Sequence, residues 1–185
     1  MFKALQMRKI SVLICFVLFA GIGRAQVFNT GEMMPKGKFS AGLEPTYLIN
    51  SDHGALFLFV HGNYGLKNDI GLNFQVGAGG YDTYAGGGIN WGLSKNFSLS
   101  TGVHYFGYFG LDGRLNFTVP IKDDARIYSG LDAEVNFGTD VRVPLWIPVG
   151  VEIRLRDKLA FSLESEIAVT APAYHLVGAG VIFYF

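Results

Sequence analysis

Hydrophobic and polar residues alternate along almost the whole chain from about residue 38 onward. In one such stretch, Leu159, Phe161 and Leu163 alternate with Ser162 and Glu164. A period of two residues is typical of a β-strand with one apolar face, whereas an amphipathic helix repeats every 3.6 residues. No stretch after residue 38 shows the helical spacing. The pattern therefore predicts an all-β chain.

Turn residues divide this pattern into ten strands. Polar triplets at 67–69, 94–96, 122–124 and 156–158 indicate tight turns, and glycine- or acid-rich breaks separate the segments between them. The breaks lie near 50–54, 79–82, 107–111, 137–140 and 170–172. The predicted strands cover about 38–49, 55–66, 69–79, 82–93, 96–107, 111–121, 125–136, 141–155, 158–169 and 173–185. Such a meander predicts antiparallel pairing between successive strands.

Strand length and aromatic positions favour a membrane barrel. The alternation alone would also fit a soluble sandwich with a polar exterior. However, the predicted strands are long enough to cross a bilayer at a tilt, which takes about 9–11 residues. Aromatic residues collect near the strand ends, as in the two girdles of a membrane barrel. They are Tyr64, Trp91 and Phe97 beside the first two turns, and Tyr47, Tyr81, Tyr105 and Phe137 near the opposite rim.

Three prolines depart from the strand pattern. Pro45, Pro144 and Pro148 each lack the backbone N–H that a strand donates to its neighbour. We expect them at bulges or near the outer rim of the barrel.

The first 25 residues have the organisation of a secretory signal peptide. Three basic residues among the first nine positions precede an apolar run over 10–22, and small residues occupy positions 23 and 25. Cleavage is predicted before Gln26, and translation from Met7 would give a shorter version of the same signal. Residues 26–37 are then a periplasmic leader, and residues 38–185 form the barrel.

Composition excludes several classes of protein. Of 185 residues, 16% are charged and 50% are hydrophobic. The one apolar run is shorter than the 18 or more residues of a spanning helix, which excludes a helical multi-pass protein. After residue 25 the acids outnumber the bases by four, so no nucleic-acid surface is expected. The only cysteine, Cys15, lies in the predicted signal peptide, which leaves the mature chain no thiolate for a disulfide or a metal.

The signal peptide, the meander and the alternating aromatic strand 181–185 together resemble the small outer-membrane β-barrels of Gram-negative bacteria. The resemblance implies a closed antiparallel up-and-down transmembrane β-barrel of about ten strands, in which the first strand pairs with the last. It also implies an outer-membrane location, with membrane lipid and the barrel-assembly machinery as partners. That machinery would read Phe183 and Phe185 in the terminal strand.

The polar face of such a barrel points inward. The outer half of the lumen would receive Leu48, Phe57, Phe59, Tyr84, Phe106, Trp146, Tyr174 and Leu176. The middle and lower parts would receive Arg114, Arg126, Asp132, Glu134, Glu152, Arg154 and Glu164. If the turn at 122–124 pairs Ile121 with Ala125, Arg114 lies opposite Asp132 as a cross-strand ion pair.

Two interpretations of this lumen stay open. The side chains would either fill a narrow barrel, or form an aromatic vestibule above a charged constriction that suits a small amphipathic solute. Inward glycines would either receive bulky neighbouring side chains or leave a passage. They are Gly71, Gly77, Gly86, Gly88, Gly92, Gly178 and Gly180.

No catalytic, cofactor or metal site is expected. The histidines are His61 and His104 facing inward, His175 facing outward near the rim, and His53 in the first outer loop, and none has a serine at a recognisable spacing. This argues against the hydrolase or acyltransferase chemistry of some barrels of this size. Glu164 and Glu166 share a strand face without a nearby histidine, which leaves a metal site unsupported.

The sequence therefore predicts a non-enzymatic barrel, either a narrow channel for small solutes or a passive structural component of the outer membrane. The alternative is an accessory subunit docked on another outer-membrane protein. Small outward residues would allow close approach of such a partner. They are Ala41, Gly62, Ala85, Gly87 and Ala133.

Overall fold

The computed structural model describes residues 32–49, 54–80, 82–171 and 173–185. The predicted signal peptide, the first part of the leader, His53 and Tyr81 lie outside these ranges. Within them, no helix is long and apolar enough to cross a membrane.

The described chain is a closed barrel of antiparallel strands. The strands are β1 (Phe39–Ile49), β2 (Gly54–Gly65), β3 (Ile70–Gly79), β4 (Thr83–Gly92), β5 (Phe97–Phe106), β6 (Tyr108–Lys122), β7 (Ala125–Phe137), β8 (Val141–Arg142), β9 (Leu145–Arg156), β10 (Leu159–Ala168) and β11 (His175–Tyr184). Because β8 and β9 are two pieces of one strand position, the ring has ten positions. This confirms the predicted ten-stranded antiparallel barrel.

The first and last strands close the ring. Ser40 lies opposite Tyr184 and Ile49 lies opposite His175, so pairing between β1 and β11 runs from one rim to the other. We call the end of the barrel that carries the four tight turns the turn end. There, the Phe185 N–H donates to the Phe39 carbonyl at 2.9 Å. Apart from residues 44 and 45 of β1, the pairing is continuous along this seam, as a lipid environment requires.

Pro144 interrupts the eighth strand position, which the sequence predicted as one strand over 141–155. The break falls at residues 143–144, between β8 and β9. The Thr170 hydroxyl donates to the Val143 carbonyl (3.3 Å) and accepts from the Leu145 N–H (3.0 Å). The Thr170 side chain, in the connection between β10 and β11, thus supplies hydrogen bonds where strand pairing is interrupted.

Pro45 also leaves a gap, but only on one side of its strand. β1 pairs with β11 as far as Leu43 and again from Thr46 onward. Its pairing with β2 continues through Pro45 itself. Since proline has no N–H to donate, the gap falls on the side where that donor would have pointed.

The connection between β5 and β6 is a single residue, shorter than the predicted break over 107–111. Phe106 and Tyr108 pair with each other, and Gly107 between them has a φ of 67°. A positive φ at this point favours glycine, which lacks the Cβ that would clash. The chain therefore turns tightly here, and β6 begins three residues earlier than predicted.

A bulge near the turn at 122–124 sets the register of β6 and β7. Ala125 pairs with Lys122 and not with Ile121, and the register shifts between Pro120 and Lys122. Above the shift, Arg114 lies opposite Asp132 as predicted. The bulge absorbs one residue and leaves the inward and outward faces of both strands unchanged.

Candidate functional site

The lumen is a polar interior built by the alternation of every strand. Buried acids and bases project into it from several strands, among them Glu44 on β1, Arg126 and Asp132 on β7, Glu152 on β9 and Glu164 on β10. Charged groups are buried in proteins only when other polar groups satisfy them. The lumen therefore has to be understood as a network of contacts.

An aromatic cluster covers one side of the outer half of the lumen. Phe57 lies against Phe59 and Phe106, with ring centroids 5.7 and 5.5 Å apart. Tyr84 meets Phe59 edge to face at 5.7 Å. Centroid separations in this range are those of favourable aromatic pairs. These four predicted lumen residues thus form one continuous wall contributed by β2, β4 and β5.

Glycines on neighbouring strands provide room for this wall. Phe59 pairs directly with Gly77, and Phe57 with Gly79. A Cβ at either glycine would collide with the ring that now lies over it. At these positions the structure therefore shows packing of bulky side chains onto the glycines and not a passage along them.

Trp146 faces the lumen from β9, on the other side of the ring. Its indole N–H donates to the backbone carbonyl of Tyr174 at 2.7 Å, which fixes the ring beside the connection into β11. Leu48 and Leu176 complete the apolar lining at this height.

Arg114 is the centre of a charged constriction below the aromatic residues. Its guanidinium pairs with Asp132, as the register predicted, and also with Glu166 at 2.9 Å. Beside it, Glu44 pairs with His61 at 2.8 Å. Glu44 and Glu166 were not among the lumen residues selected from the sequence, although their position on the inward face of β1 and β10 was readable from the alternation.

An upper and a lower cavity lie between these side chains in the described part of the chain. The upper one has a volume of about 200 Å³ and the lower one about 100 Å³. Both are lined by His61, Gln75, Tyr84, Arg114, Asp132 and Glu134, which therefore form the partition between them. The upper cavity is also lined by Glu44, Thr46, Leu48, Phe57, Phe59, Phe106, Asn136, Pro144, Trp146, Glu164, Glu166, Tyr174, Leu176 and Gly178.

A third group of polar side chains lies near the turn end. Arg126 contacts Glu152 at 3.5 Å, and Glu152 accepts a hydrogen bond from the Tyr184 hydroxyl at 2.7 Å. The Arg154 guanidinium lies 5.3 Å from the centre of the Tyr184 ring. Arg126, Glu152 and Arg154 thus belong to one cluster, separate from the constriction around Arg114.

The described part of the leader, residues 32–36, packs into this turn end. Glu32 forms an ion pair with Arg126. Met34 is 2% exposed and lies in a cluster with Ala160, Ile182 and Tyr184. We call residues 32–36 the N-terminal plug, because they occupy the lower mouth of the lumen.

The sequence did not reveal the plug, although two signals were present. Met33 and Met34 are an apolar pair inside a segment predicted only as a leader. The inward glycines Gly71 and Gly92 lie where the Met33 side chain rests, and a Cβ at Gly92 would meet it at 2.7 Å. The plug is held further by a backbone bridge between Lys36 and Gly65.

The two inward histidines make contacts with protein side chains. His104 places Nδ1 3.3 Å from Asp112 and Nε2 2.8 Å from Asn136. His61 is paired with Glu44. Among the residues that the structure describes, no three histidine, cysteine or acidic side chains are arranged to hold a metal ion.

The outer wall has the opposite character. Large apolar side chains are exposed around the whole ring, for example Leu163 at 47%. Soluble proteins rarely expose continuous apolar surface on this scale, whereas a closed barrel with this wall and a polar interior suits a bilayer. The chain is a closed β-barrel with the apolar wall and the polar interior of a transmembrane barrel. Its wall also carries exposed aromatic side chains near the ends of the strands, including Tyr47, Tyr64, Phe97, Tyr105 and Phe137.

Comparison with known proteins finds matches among solved structures at low sequence identity. No protein-family model and no curated protein matches the chain. Among solved structures, the KdgM porin has a TM-score of 0.47 at 13% identity, over 80% of this chain and 99% of that chain. The outer membrane protein Ail of Yersinia pestis has a TM-score of 0.44 at 12% identity, over 81% of this chain and all of that chain (100%). The translocator domain of the autotransporter NalP from Neisseria meningitidis has a TM-score of 0.47 at 9% identity, over 100% of this chain and 96% of that chain.

Two features of the outer wall bear on the predicted partners of the barrel. Phe183 is exposed on the lipid side, and Phe185 closes the seam with Phe39. Gly62, one of the small residues predicted to leave a shallow docking place, is covered by the Phe74 ring. The wall is therefore filled at that point by the barrel itself.

Proposed function

We propose that this barrel is a non-enzymatic, narrow conduit for small amphipathic solutes, with a binding vestibule in its outer half and the N-terminal plug closing its turn end. The upper cavity of about 200 Å³, with aromatic residues on one side and charged residues on the other, is the observation that carries the proposal. Binding sites for small molecules combine an apolar lining with a few polar groups in this way.

The vestibule extends towards the outer rim. Tyr174 lies in the connection between β10 and β11, Pro144 lies in the break between β8 and β9, and both line the upper cavity. The Tyr174 side chain is also partly exposed to solvent. A solute arriving from outside would therefore meet the aromatic residues before the charged constriction.

The N-terminal plug closes the opposite end of the lumen. An ion pair from Glu32 to Arg126 and the buried Met34 hold it in the lower mouth. A solute can cross only if these contacts break, which would make the plug the gate of the conduit.

The alternatives receive less support from the contacts. A passive structural barrel needs no cavity that reaches the rim. A docked accessory subunit would use small outward residues, but Phe74 covers Gly62. Docking through the remaining small residues stays a prediction. For catalysis, both ring nitrogens of His104 already face protein side chains.

Conductance of the purified barrel in a planar bilayer tests the proposal. The wild-type barrel should show small and infrequent openings. The double variant Glu32→Gln/Met34→Ser removes the ion pair and the buried methionine, and should raise the open fraction. Within that variant, Trp146→Ala or Phe59→Ala should enlarge each opening because the vestibule becomes wider.

Lys36→Gln is the matched control, since the Lys36 side chain is exposed and its bridge to Gly65 uses the backbone. Its conductance should equal that of the wild type. If the double variant is as silent as the wild type, the barrel is not a gated conduit. A silent barrel that co-purifies with one stoichiometric membrane partner would support the accessory subunit.

A further inference from the structure

Resting on the proposed function, we infer that the vestibule takes an organic cation: a small apolar body, of about one ring, that carries an ammonium group. The upper cavity sets an aromatic wall on β2, β4 and β5 against carboxylates from β1, β7 and β10. The arrangement assigns the apolar body to the wall and the positive charge to the acids.

Carboxylates outnumber cationic groups in the lining. Glu44, Asp132, Glu134, Glu164 and Glu166 all line the upper cavity, whereas Arg114 is its one guanidinium. Arg114 is shared between Asp132 and Glu166. Carboxylates crowded together repel each other, and an added positive charge relieves that repulsion. A bound cation is therefore favoured over a neutral molecule or an anion.

Glu44, Glu164 and Thr46 mark where the ammonium group would sit. Thr46 is 5% exposed and lines the cavity, and its hydroxyl has no hydrogen-bond partner among the described residues. A buried hydroxyl without a partner costs free energy, which a ligand donor would recover. An ammonium group has three donors and no acceptor, which suits this oxygen-rich corner.

Gly178 gives these oxygen atoms room to lie together. It pairs with Thr46 across the β1–β11 seam. A Cβ at Gly178 would lie 2.8 Å from the Thr46 hydroxyl and would collide with the Glu44 carboxylate. The absence of a side chain thus lets the Glu44 carboxylate and the Thr46 hydroxyl lie together over the β11 backbone, where both oxygen atoms can accept hydrogen bonds.

The aromatic wall fits the remainder of such a ligand. Phe57, Phe59, Tyr84 and Phe106 line the cavity, and an aromatic ring of the ligand can pack against them. An apolar cavity of about 150 Å³ is enough to hold benzene. The volume of about 200 Å³ therefore admits one ring and a short charged chain.

Tryptophan fluorescence of the full-length barrel in lipid nanodiscs tests the inference. The chain has two tryptophans, Trp91 on the outer wall and Trp146 in the vestibule, so Trp91→Phe leaves a single reporter at the site. Phenethylammonium, phenethyl alcohol and phenylacetate share one ring and differ in charge. Phenethylammonium should bind with an affinity at least roughly tenfold above that of either competitor, as expected for one charged hydrogen bond.

Single-residue variants test which side chains bind the ammonium group. Glu44→Gln and Glu164→Gln keep the shape of the side chain and should each weaken phenethylammonium binding about tenfold. Asp157→Asn, the same change in the turn at 156–158, should have no effect. Thr46→Val should weaken the cation more than the alcohol. Heat-modifiable migration on a gel shows that each variant is folded.

The outcomes separate this inference from the proposed function. If none of the three probes binds the wild-type vestibule, the cation inference and the proposed function are both contradicted. If the alcohol or phenylacetate binds as tightly as the cation, the vestibule stands and the cation inference is overturned. Selective cation binding that survives both Glu44→Gln and Glu164→Gln would place the ligand elsewhere and also overturns the inference.

Discussion

Replacing Arg114 alone should destabilise the barrel more than replacing Arg114 and Asp132 together. The Arg114 guanidinium holds two carboxylates, Asp132 and Glu166, inside the lumen. Arg114→Met leaves both without their cation, whereas adding Asp132→Asn removes one of the two stranded charges. Adding Glu166→Gln as a third change should bring stability closer still to that of the wild type.

The exposure of the three side chains sets the magnitude. Asp132 is 5% exposed, Glu166 is 12% exposed and Arg114 is 23% exposed. Breaking a buried pair by removing one partner costs about 3–5 kcal/mol. Because cavities border this group, we expect the lower end, about 3 kcal/mol, for Arg114→Met. The double variant should lose about 1–2 kcal/mol, since one carboxylate stays uncompensated.

Urea unfolding of the barrel in lipid vesicles, followed by tryptophan fluorescence, measures these differences. Arg142→Met is the matched control, because Arg142 is exposed at the rim and should change stability by less than about 0.5 kcal/mol. If the Arg114 and Asp132 changes add, or if the double variant is the less stable of the two, the pair does not contribute as the structure indicates.

Two further predictions concern the faces of the strands. Leu163→Lys puts a charge on the lipid-facing wall and should cost about 2–4 kcal/mol in the same unfolding assay; a harmless lysine would mean that the faces are inverted. Gly150→Ala places a methyl group against the Tyr128 ring and should cost about 1–3 kcal/mol through overpacking. Gly113→Ala, where no atom lies within 4 Å of the added carbon, should be close to neutral, and equal losses at both glycines would contradict the packing argument.

Most of the fold was predictable from the sequence because side-chain period and turn chemistry are local signals. Most predicted strand ends lie within one or two residues of those in the structure, and the inward and outward faces follow from the alternation. The exceptions have local physical causes. Gly107 turns the chain in one residue through a positive φ, and Pro144 breaks a strand whose apolar pattern continues past it.

The candidate site was less predictable because its contacts join distant strands. The pairing of Arg114 with Asp132 followed from one hairpin, but its contact with Glu166 spans 52 residues. Glu32 and Arg126 are 94 residues apart. No pattern in a single strand reports such contacts. They depend on ring closure, which brings β6 and β7 within reach of β10 and brings the plug beside β7.

We expect one face of the strands to border an accessible lumen and the other to border lipid. Cysteine labelling of intact cells tests it directly, because Cys15, the only cysteine, lies in the predicted signal peptide. Leu176 lines the vestibule, and Leu163 lies on the outer wall. Leu176→Cys should react with a membrane-impermeant thiol reagent, faster with a cationic reagent than with an anionic one, while Leu163→Cys should stay unmodified. Labelling of Leu163→Cys with protection of Leu176→Cys would mean that the two faces are inverted.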